Sequence, residues 1–385
     1  MRWRGGVVKV AIDCRRIIPE MTGLGTYTRE LIRALIPLAS TRGIELMLFT
    51  LPESAAALAA EAGGTDVRIV RHPVEDHLAG DWWKHFSLPK ILDSESVDLF
   101  HDPAYQVPLR RSRARYITTV HDLSPFRFPE SNTWKYNAYW TWMTRQAVRR
   151  SVRIITVSES VREELESMFP DCRGRVDVVY EAASPDFKPG IVGPDLFQRL
   201  RLKSPYFLTM AKYEPRKNLA RCLAAFRMFK QRVSTDAMMV VAGAMGYKTG
   251  RIVRTVEDLT ESGAVCFTGY LEQPELVDLI RGARAVLVPS LYEGFGLPVL
   301  EAMACGTPVA CSDRGALVEI GGDAPLYFDP LDCTSMAAVM ERFAVDSGLT
   351  ERMRSRGLDR ARSFSWERTA LETLAAYQRA RDSLP

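Results

Sequence analysis

The sequence predicts an α/β protein built from two doubly wound units with parallel sheets. Short β-branched, apolar runs alternate with longer helical patterns, which is typical of βαβ units. This alternation stops and restarts once along the 385 residues, a length that suits two domains. A polar segment at 183–205, with four prolines and two glycines, lies between the two series. Such a composition predicts a linker, and we place the boundary at 185–200.

The predicted elements follow this order. Strands of the first series are expected at 7–12, 44–49, 67–70, 97–100, 116–120, 153–157 and 176–179. Strands of the second series are expected at 205–210, 237–243, 264–269, 285–290 and 307–312, with helices at 218–231 and 298–304 among the connections. Pro298 in the first turn and Gly306 after the last turn delimit the second of these helices.

Composition excludes several classes of protein. The chain is 46% hydrophobic and 25% charged, which is ordinary for a globular protein and argues against disorder. A net charge of +4 is far below a nucleic-acid signature. Seven cysteines without a CxxC pair favour reduced, cytosolic thiols over disulfides or zinc. The first apolar run is short and ends at Asp13, and no run reaches 18 apolar residues, so neither a signal peptide nor a membrane span is predicted.

Ligands of open parallel sheets bind beyond the carboxyl ends of the strands. After the first strand, Gly23 and Gly25 precede a helix, where small residues let backbone N–H groups approach an anion. The motif lacks the third glycine of GxGxxG. A plain turn with Thr26 or Thr28 as helix cap is therefore the favoured alternative when the stretch is taken alone.

Two later strands of the first series end in His–Asp pairs, at 101–102 and 121–122. Either pair alone is better explained as a loop cap, but two pairs at equivalent positions favour side chains that face a ligand. No HxxxH or HxH spacing supports a metal site.

In the second series, Arg216 and Lys217 stand at a helix start, with Asn218 as its candidate cap. Helix N-termini disfavour cations, so an anion such as a diphosphate would explain them. Solvated surface cations are the alternative.

The stretch EGFGLPVLEAMACG, 293–306, combines a glycine loop with a helix. Gly294 and Gly296 allow close approach of backbone amides to a ligand. Glu301 lies one turn into the helix, where it can accept hydrogen bonds from paired ribose hydroxyls. Glu293 lies in the loop, free to bind sugar hydroxyls, so the two carboxylates suit the two ends of a nucleotide sugar.

These residues resemble glycosyltransferase family 4, whose members are retaining enzymes of the GT-B fold. LTMAKYEPRKNL, FTGYLEQPELVDLIRGARAVLVPSLYEGFGLPVLEAMACGTPVACSD and GDAPLYFDP are similar to the donor-binding half of that family almost continuously. TGLGTYTREL, FHDPAYQVP, TVHDLSPFRFP and ITVSESVREEL are similar to the other half, and FSWERTALETLAAY is similar to its terminal helix. The resemblance covers nearly the whole chain.

The resemblance implies an α/β GT-B architecture with two Rossmann-like domains that face each other across a cleft. The acceptor-binding domain would span 1–190 and the nucleotide-sugar domain 204–365, with 366–385 as a helix that can cross back to the first domain. Catalytic roles fall on His121 beside the reacting sugar, Arg216 and Lys217 on the donor diphosphate, and Glu293 on the donor sugar. The remaining implied donor-binding residues are Gly23, Gly25, Gly269, Tyr270, Leu271, Gly294, Phe295, Gly296, Leu297 and Glu301.

One position departs from the pattern, because many relatives carry Gly or Arg where this chain has Ala211. Part of the phosphate clamp is then missing or supplied by Lys212. The sequence contains no DxD pair, so the resemblance implies catalysis without a metal or other cofactor, with the cations in place of Mg²⁺.

The function expected is retaining transfer of a hexose, mannose or a deoxy-mannose favoured, from a nucleoside diphosphate sugar to a hydroxyl of a growing cell-surface glycan or polyprenyl-linked oligosaccharide. A GDP-sugar is the favoured donor. The alternatives are a sugar-nucleotide epimerase of the same fold and a non-catalytic nucleotide-sugar-binding subunit.

A cytoplasmic protein at the inner face of the cell membrane is also expected, with no nucleic-acid partner. The segments 81–86 and 134–150 are aromatic and basic and could contact a membrane or a lipid-linked acceptor. A stripe of Tyr136, Tyr139, Trp140, Met143 and Ala147 is better explained as core, which leaves Trp134 and Trp142 for an interface.

Overall fold

The structure is a computed structural model of the chain. It describes residues 7–18, 23–62, 67–71, 77–202, 205–210, 214–243, 257–346 and 348–383. Ala211 and Lys212, the position of the departure from the family pattern, lie outside the described residues. The chain divides into two compact units. Unit 1 comprises Met1–Leu123, Lys135–Glu181 and Ser365–Pro385, and unit 2 comprises Ser124–Trp134 and Ala182–Phe364.

Each unit contains one sheet whose described strands pair in parallel. Sheet one has the order β3-β2-β1-β4-β5-β6-β7 and sheet two the order β10-β9-β8-β11-β12-β13. The strands are β1 Val8–Asp13, β2 Ile44–Thr50, β3 Val67–Arg71, β4 Leu99–Asp102, β5 Arg115–Val120, β6 Ser151–Thr156, β7 Val176–Val178, β8 Tyr206–Met210, β9 Met238–Ala242, β10 Val265–Gly269, β11 Ala285–Val288, β12 Val309–Ser312 and β13 Leu326–Phe328. The predicted tandem of doubly wound units is confirmed. In both sheets the order reverses beside the first strand, which creates a switch point at β1/β4 and another at β8/β11.

Helices connect these strands. They are α1 Gly23–Ser40, α2 Pro52–Ala62, α3 His77–Phe86, α4 Leu88–Ser94, α5 Ser124–Arg127, α6 Trp134–Arg150, α7 Glu159–Met168, α8 Pro194–Arg199, α9 Leu219–Arg232, α10 Glu257–Glu261, α11 Gln273–Gly282, α12 Leu297–Ala304, α13 Ala316–Gly321, α14 Cys333–Val345, α15 Leu349–Ala361 and α16 Trp366–Asp382. Short 3-10 helices lie at Pro129–Ser131, Pro170–Cys172 and Pro215–Lys217. None of the described helices has the length and apolar character needed to cross a bilayer.

The terminal helix α16 packs in unit 1. Its Tyr377 is fully buried and its hydroxyl lies 2.7 Å from Nδ1 of His101. Arg115 donates to the carbonyl of Ala380 at 2.7 Å, and Thr369 donates to the carbonyl of Tyr180 at 2.7 Å. These bonds fix α16 against the ends of β4, β5 and the segment after β7.

The segment 183–205, which the sequence predicted to be a linker, packs onto unit 2. It contains α8, and Phe187 and Leu196 are buried within unit 2. Arg281 of α11 donates to the carbonyl of Lys188 at 2.8 Å. Two apolar side chains in a proline-rich stretch were enough to fold it onto the unit.

A buried ion network joins the carboxyl ends of β1 and β4 to α3. Lys84 Nζ lies 2.9 Å from Asp13 and also pairs with Asp102, and all three side chains are nearly inaccessible to solvent. Arg15 lies 2.9 Å from Asp13 as well. Burial alone would raise the pKa of Asp13, but Arg15 and Lys84 outweigh it and hold that pKa well below its usual value.

We predict that Lys84→Met destabilises the protein by about 3–5 kcal/mol, because it leaves buried Asp102 without its cation and Asp13 with Arg15 alone. Urea unfolding at neutral pH measures the loss. Lys90→Met is the matched control, since Lys90 is exposed on α4. Equal stabilities of the two variants would show that the network contributes nothing to folding.

Candidate active site

The switch point of unit 2 brings together two cations and a carboxylate. Arg216 and Lys217 form the 3-10 turn that follows β8, and Glu293 lies in the loop that follows β11. Lys217 Nζ donates to Glu293 Oε1 at 2.7 Å, and Arg216 Nη1 donates to Oε2 at 3.3 Å. The backbone N–H of Leu291 also donates to the carbonyl of Arg216 at 2.7 Å. Side-chain and backbone bonds therefore tie the two loops together.

Glu293 is held as a carboxylate by this arrangement. Its side chain is 9% exposed, and it also accepts a hydrogen bond from Ser290 Oγ at 2.6 Å. Burial alone would raise the pKa of Glu293, but the charges of Lys217 and Arg216 outweigh it and lower the pKa to about 2. In this conformation Oε1 already accepts from Lys217 and Ser290 and Oε2 from Arg216, and the contact of Glu293 with sugar hydroxyls stays a prediction.

Asn218 fixes the turn that carries the cations. It has φ 56° and ψ 29°, a left-handed conformation that is uncommon for a residue with a side chain. Its amide donates to the carbonyls of Pro289 at 3.1 Å and Pro330 at 2.6 Å. Asn218 occupies the N-cap position of α9, as the sequence predicted, but its side chain makes no cap bond and instead links the turn to the loops after β11 and β13.

The glycine loop leads from Glu293 into α12. Gly294, Phe295 and Gly296 are buried. Gly296 has φ +106°, and a Cβ there would lie 2.9 Å from Leu317, so this turn requires glycine. Leu297 is the first residue of α12 and Glu301 lies one turn later, where it is half-buried. The loop and helix thus adopt the arrangement predicted from the sequence.

Gly269, Tyr270 and Leu271 lie at the carboxyl end of β10. Gly269 has φ +72°, and Tyr270 is 55% exposed. Arg216 and Lys217 follow β8, and β10 is two strands from β8 in the sheet. The carboxyl ends of these two strands are therefore about 10 Å apart. That separation, along one sheet edge, suits a base at one end of a nucleotide and a diphosphate at the other.

The remaining predicted residues belong to unit 1. Gly23 and Gly25 do not precede α1 but form its first turn, and Thr28 bonds back to the carbonyl of Leu24 at 2.8 Å. The alternative in which Thr26 or Thr28 caps the helix is therefore wrong too. A Cβ at Gly23 would meet nothing within 4 Å among the described residues.

His121 follows β5 and is fixed on both sides. Nδ1 lies 2.8 Å from Glu181 Oε1, and Nε2 lies 2.8 Å from the carbonyl of Pro103. The ring of Tyr27 stands edge-on at 4.5 Å between centroids. Glu181 is 3% exposed and was missed by the sequence analysis. It stands three residues after β7, so the rule of reading each strand's carboxyl end could have found it.

The other His–Asp pair has a structural role. His101 lies between Tyr377 and Thr119, and burial lowers its pKa to about 3. Asp102 accepts the backbone N–H groups of Ala104 and Gln106 at 2.7 and 2.8 Å. For this pair the loop-cap alternative is right.

The described residues contain no cluster of three or more His, Cys, Asp or Glu side chains that could hold a metal ion.

Comparisons with known proteins match both halves. The family model "Glycosyltransferase Family 4" matches residues 21–187, and "Glycosyl transferases group 1" matches residues 195–360. The O-antigen chain mannosyltransferase B of Escherichia coli is 33% identical over 283 residues, which cover 73% of this chain and 74% of that protein. This chain belongs to glycosyltransferase family 4.

Two other relatives of this family-4 chain are also named mannosyltransferases. The O-antigen chain mannosyltransferase RfbU of Salmonella typhimurium is 28% identical and covers 59% of this chain and 60% of its own. The chain spans about a third of the serotype-specific mannosyltransferase WbdA of Escherichia coli, at 30% identity over 72% of this chain. These relatives support a hexose-transferring glycosyltransferase and do not favour an epimerase or a binding subunit.

Solved structures confirm the GT-B fold of the family-4 chain. Sucrose-phosphate synthase from Thermosynechococcus elongatus superimposes with a TM-score of 0.76 at 19% identity, covering 98% of this chain and all of that one. Anabaena HepE, solved with UDP and glucose, gives a TM-score of 0.67 at 17% identity, covering 98% and 100%.

We predict that the Glu293 ion pairs stabilise the fold above the acidic range. Because the folded pKa is depressed from 4.5 to about 2, the stabilisation is present above pH about 4.5 and is lost as the pH falls toward 2, on the order of 3 kcal/mol in all. Urea unfolding of wild type and Glu293→Gln should therefore show a gap at pH 7 that narrows toward pH 3. Glu351→Gln, at an exposed position of α15, should show no such trend. A gap for Glu293→Gln that does not change with pH would contradict the prediction.

Proposed function

We propose that this chain transfers a hexose from a nucleoside diphosphate sugar to a hydroxyl of a growing cell-surface glycan or lipid-linked oligosaccharide. The observation that carries the proposal is the meeting of Arg216, Lys217 and Glu293 at the switch point of unit 2. Mannose is the favoured sugar, with a deoxy-mannose such as rhamnose next, and the relatives named O-antigen mannosyltransferases support this order.

Arg216 and Lys217 hold the donor diphosphate in this proposal. Lys217 uses one of its three N–H groups on Glu293, which leaves donors for a phosphate. Arg216 is already bonded to Glu214 at 2.9 Å and to Glu293 at 3.3 Å, so it contributes chiefly its positive charge. Their side chains are 14–15% exposed, so they are restricted in motion yet reachable. Positive charge placed this way stabilises the diphosphate as it leaves, which is the part that Mg²⁺ plays in other transferases. We therefore propose transfer without a metal cofactor.

The remaining parts of the donor are proposed to bind along the carboxyl ends of the strands of sheet two. The backbone of Gly294, Phe295 and Gly296 and the start of α12 at Leu297 face the phosphate and sugar, and Glu301 accepts from the ribose hydroxyls. The segment 269–271 contacts the base. The carboxylate of Glu293 offers about four acceptor sites, so in this proposal it accepts from a sugar hydroxyl while it still holds Lys217 beside the diphosphate.

The chemical step is proposed to retain configuration. The bond from the anomeric carbon to the phosphate oxygen breaks, and the acceptor oxygen bonds to that carbon on the same face. The departing phosphate takes the acceptor proton, so the products are the glycoside and the nucleoside diphosphate. His121, held by Glu181 and the carbonyl of Pro103, is proposed to contact the reacting sugar, and Gly23 to Gly25 the phosphate or acceptor.

The acceptor is proposed to reach the enzyme at the inner face of the cell membrane. Exposed aromatic side chains on α3 and α6 support such a contact, since Trp and Phe rings suit the bilayer interface. Trp82 is 68% exposed, Trp134 75% and Trp142 44%. The predicted core stripe of α6 holds for Met143 and Ala147, which are buried, but not for Tyr136, which is 45% exposed.

Thermal stabilisation by a panel of GDP-, UDP-, dTDP- and ADP-sugars without metal tests the proposal. A donor at 100 times its Kd adds about 2.7 kcal/mol. We expect GDP-sugars to raise the melting temperature most. UDP-sugars are the most informative alternative donors in the panel, because HepE was solved with UDP-glucose. Absence of a shift with every donor would contradict the donor site, and release of free sugar or an epimer from donor alone would favour the epimerase.

We also predict that Glu181 positions His121. Glu181→Ala should lower kcat by about 10- to 100-fold with little change in donor Kd, as expected for loss of orientation of a catalytic group. Glu181→Gln keeps a hydrogen-bond acceptor and should retain much more activity. Calorimetric titration with the donor and a transfer assay separate the two effects. Equal activity of the Ala and Gln variants, or a raised donor Kd, would contradict a positioning role.

A further inference from the structure

A basic cavity lies in unit 1 at the amino end of β5, whereas His121 follows the carboxyl end of that strand. It has a volume of about 470 Å³ and is formed by the stretch 111–116 and by the junction of α6 with β6. Arg115 at its wall begins β5, whereas His121 follows the end of that strand. Five residue steps of β5 separate the two ends by about 17 Å, so the cavity is distinct from the candidate active site.

Five arginines line this cavity. They are Arg111, Arg113, Arg115, Arg149 and Arg150. Ser112 and Gln146 add neutral polar groups to the wall, and no acidic residue contributes to it. The neighbouring cavity of about 400 Å³ differs in this respect, because Asp93 and Asp98 line it beside Arg113 and Arg115. Because Arg113 and Arg115 line both cavities, Asp93 and Asp98 oppose part of their charge, and the positive charge of the first cavity rests mainly on Arg111, Arg149 and Arg150.

The partners of these arginines leave most of their charge uncompensated. Arg115 donates to the carbonyl of Ala380 at 2.7 Å, and Arg153 nearby in sequence pairs with Asp177. Arg153 does not line the cavity, and none of the five guanidinium groups that do forms an ion pair with a carboxylate in the part of the chain that the structure describes.

A purely structural explanation accounts for part of the cluster. Arg149 and Arg150 stand in the last turn of α6, where cations interact favourably with the helix dipole. That effect does not extend to Arg111 and Arg113, which belong to the connection before β5 and have no helix terminus of their own. Gathering like charges around one concavity destabilises the empty protein, and an anionic ligand would remove that cost.

We infer that this cavity binds a phosphate-bearing anion, which is a function beyond the transfer reaction. Guanidinium groups match phosphate oxygens with paired, charge-assisted hydrogen bonds. The volume is within the range of ligand pockets and exceeds what a single small ion needs. The phosphate belongs either to a membrane phospholipid headgroup or to a soluble phosphorylated molecule, and the recognition chemistry is the same for both.

The test compares wild type with Arg111→Gln/Arg149→Gln and with a charge-matched control, Arg173→Gln/Arg356→Gln. Both control positions are exposed and lie outside the cavity. All three proteins keep Arg216 and Lys217, so pyrophosphate bound at the donor site is common to them and any difference reports the cavity. Thermal unfolding verifies that each variant is folded.

Two probes separate the sources of the phosphate. Calorimetry with inorganic pyrophosphate at low ionic strength measures soluble binding. Co-sedimentation with vesicles of phosphatidylglycerol and phosphatidylcholine, against pure phosphatidylcholine vesicles, measures binding to headgroups. We expect the cavity variant to bind about tenfold or more weakly than the control in at least one arm, because two charge-assisted contacts are lost.

Each outcome decides the inference. A loss in the vesicle arm alone assigns the cavity to lipid headgroups, and a loss in the pyrophosphate arm alone assigns it to a soluble phosphate. A loss in both arms supports the site for either source. Equal binding of the cavity variant and the control in both arms overturns the inference, whatever the donor panel shows.

Discussion

The ion pairs of Glu293 with Lys217 and Arg216 are the interaction on which the candidate active site depends. They join residues 76 and 77 positions apart, which follow the two strands on either side of the unit 2 switch point. A carboxylate with a side chain 9% exposed is costly to bury, and the two cations more than offset that cost, as the depressed pKa shows. In return, the carboxylate restricts two long side chains that would otherwise sample many rotamers.

The loops that carry this cluster contain backbone conformations that few residue types adopt. Asn218 holds a left-handed turn through hydrogen bonds to the carbonyls of two prolines, 71 and 112 residues away. Gly296 occupies a conformation and a space that a side chain would not fit. The cations and the glycine loop are therefore fixed in the unliganded chain, and such preorganisation is the main requirement for the stabilisation of a leaving group that we propose for them.

The architecture could be predicted from the sequence because the patterns that indicate strands and helices are local. The apolar, β-branched runs at 44–49 and 285–290 predicted β2 and β11, whereas β13 was missed because its three residues lie between Pro325 and the turn residues Asp329 and Pro330. Residues near the site were recognised from the EPRKN and EGFGLP stretches and their family resemblance. The hydrogen-bond partners of those residues could not be recognised from the sequence. Asn218 and Glu293 bond to groups dozens of residues away, and no local pattern encodes which groups those are. Glu181 is different, because its place three residues after β7 is a local signal that could have identified it.

The most direct test of the central claim measures how much Lys217 contributes to GDP binding with and without Glu293. Calorimetry would give the Kd of GDP for wild type, Lys217→Ala, Glu293→Ala and the double variant, with thermal unfolding to verify folding. GDP lacks the sugar, so no sugar contact of Glu293 contributes, and the coupling between the two substitutions isolates the effect that Glu293 has through Lys217. If Glu293 orients Lys217, then Lys217→Ala should weaken GDP binding by about tenfold or more in wild type and far less in the Glu293→Ala background. The same factor in both backgrounds would contradict the claim, because Lys217 would then act without its carboxylate partner.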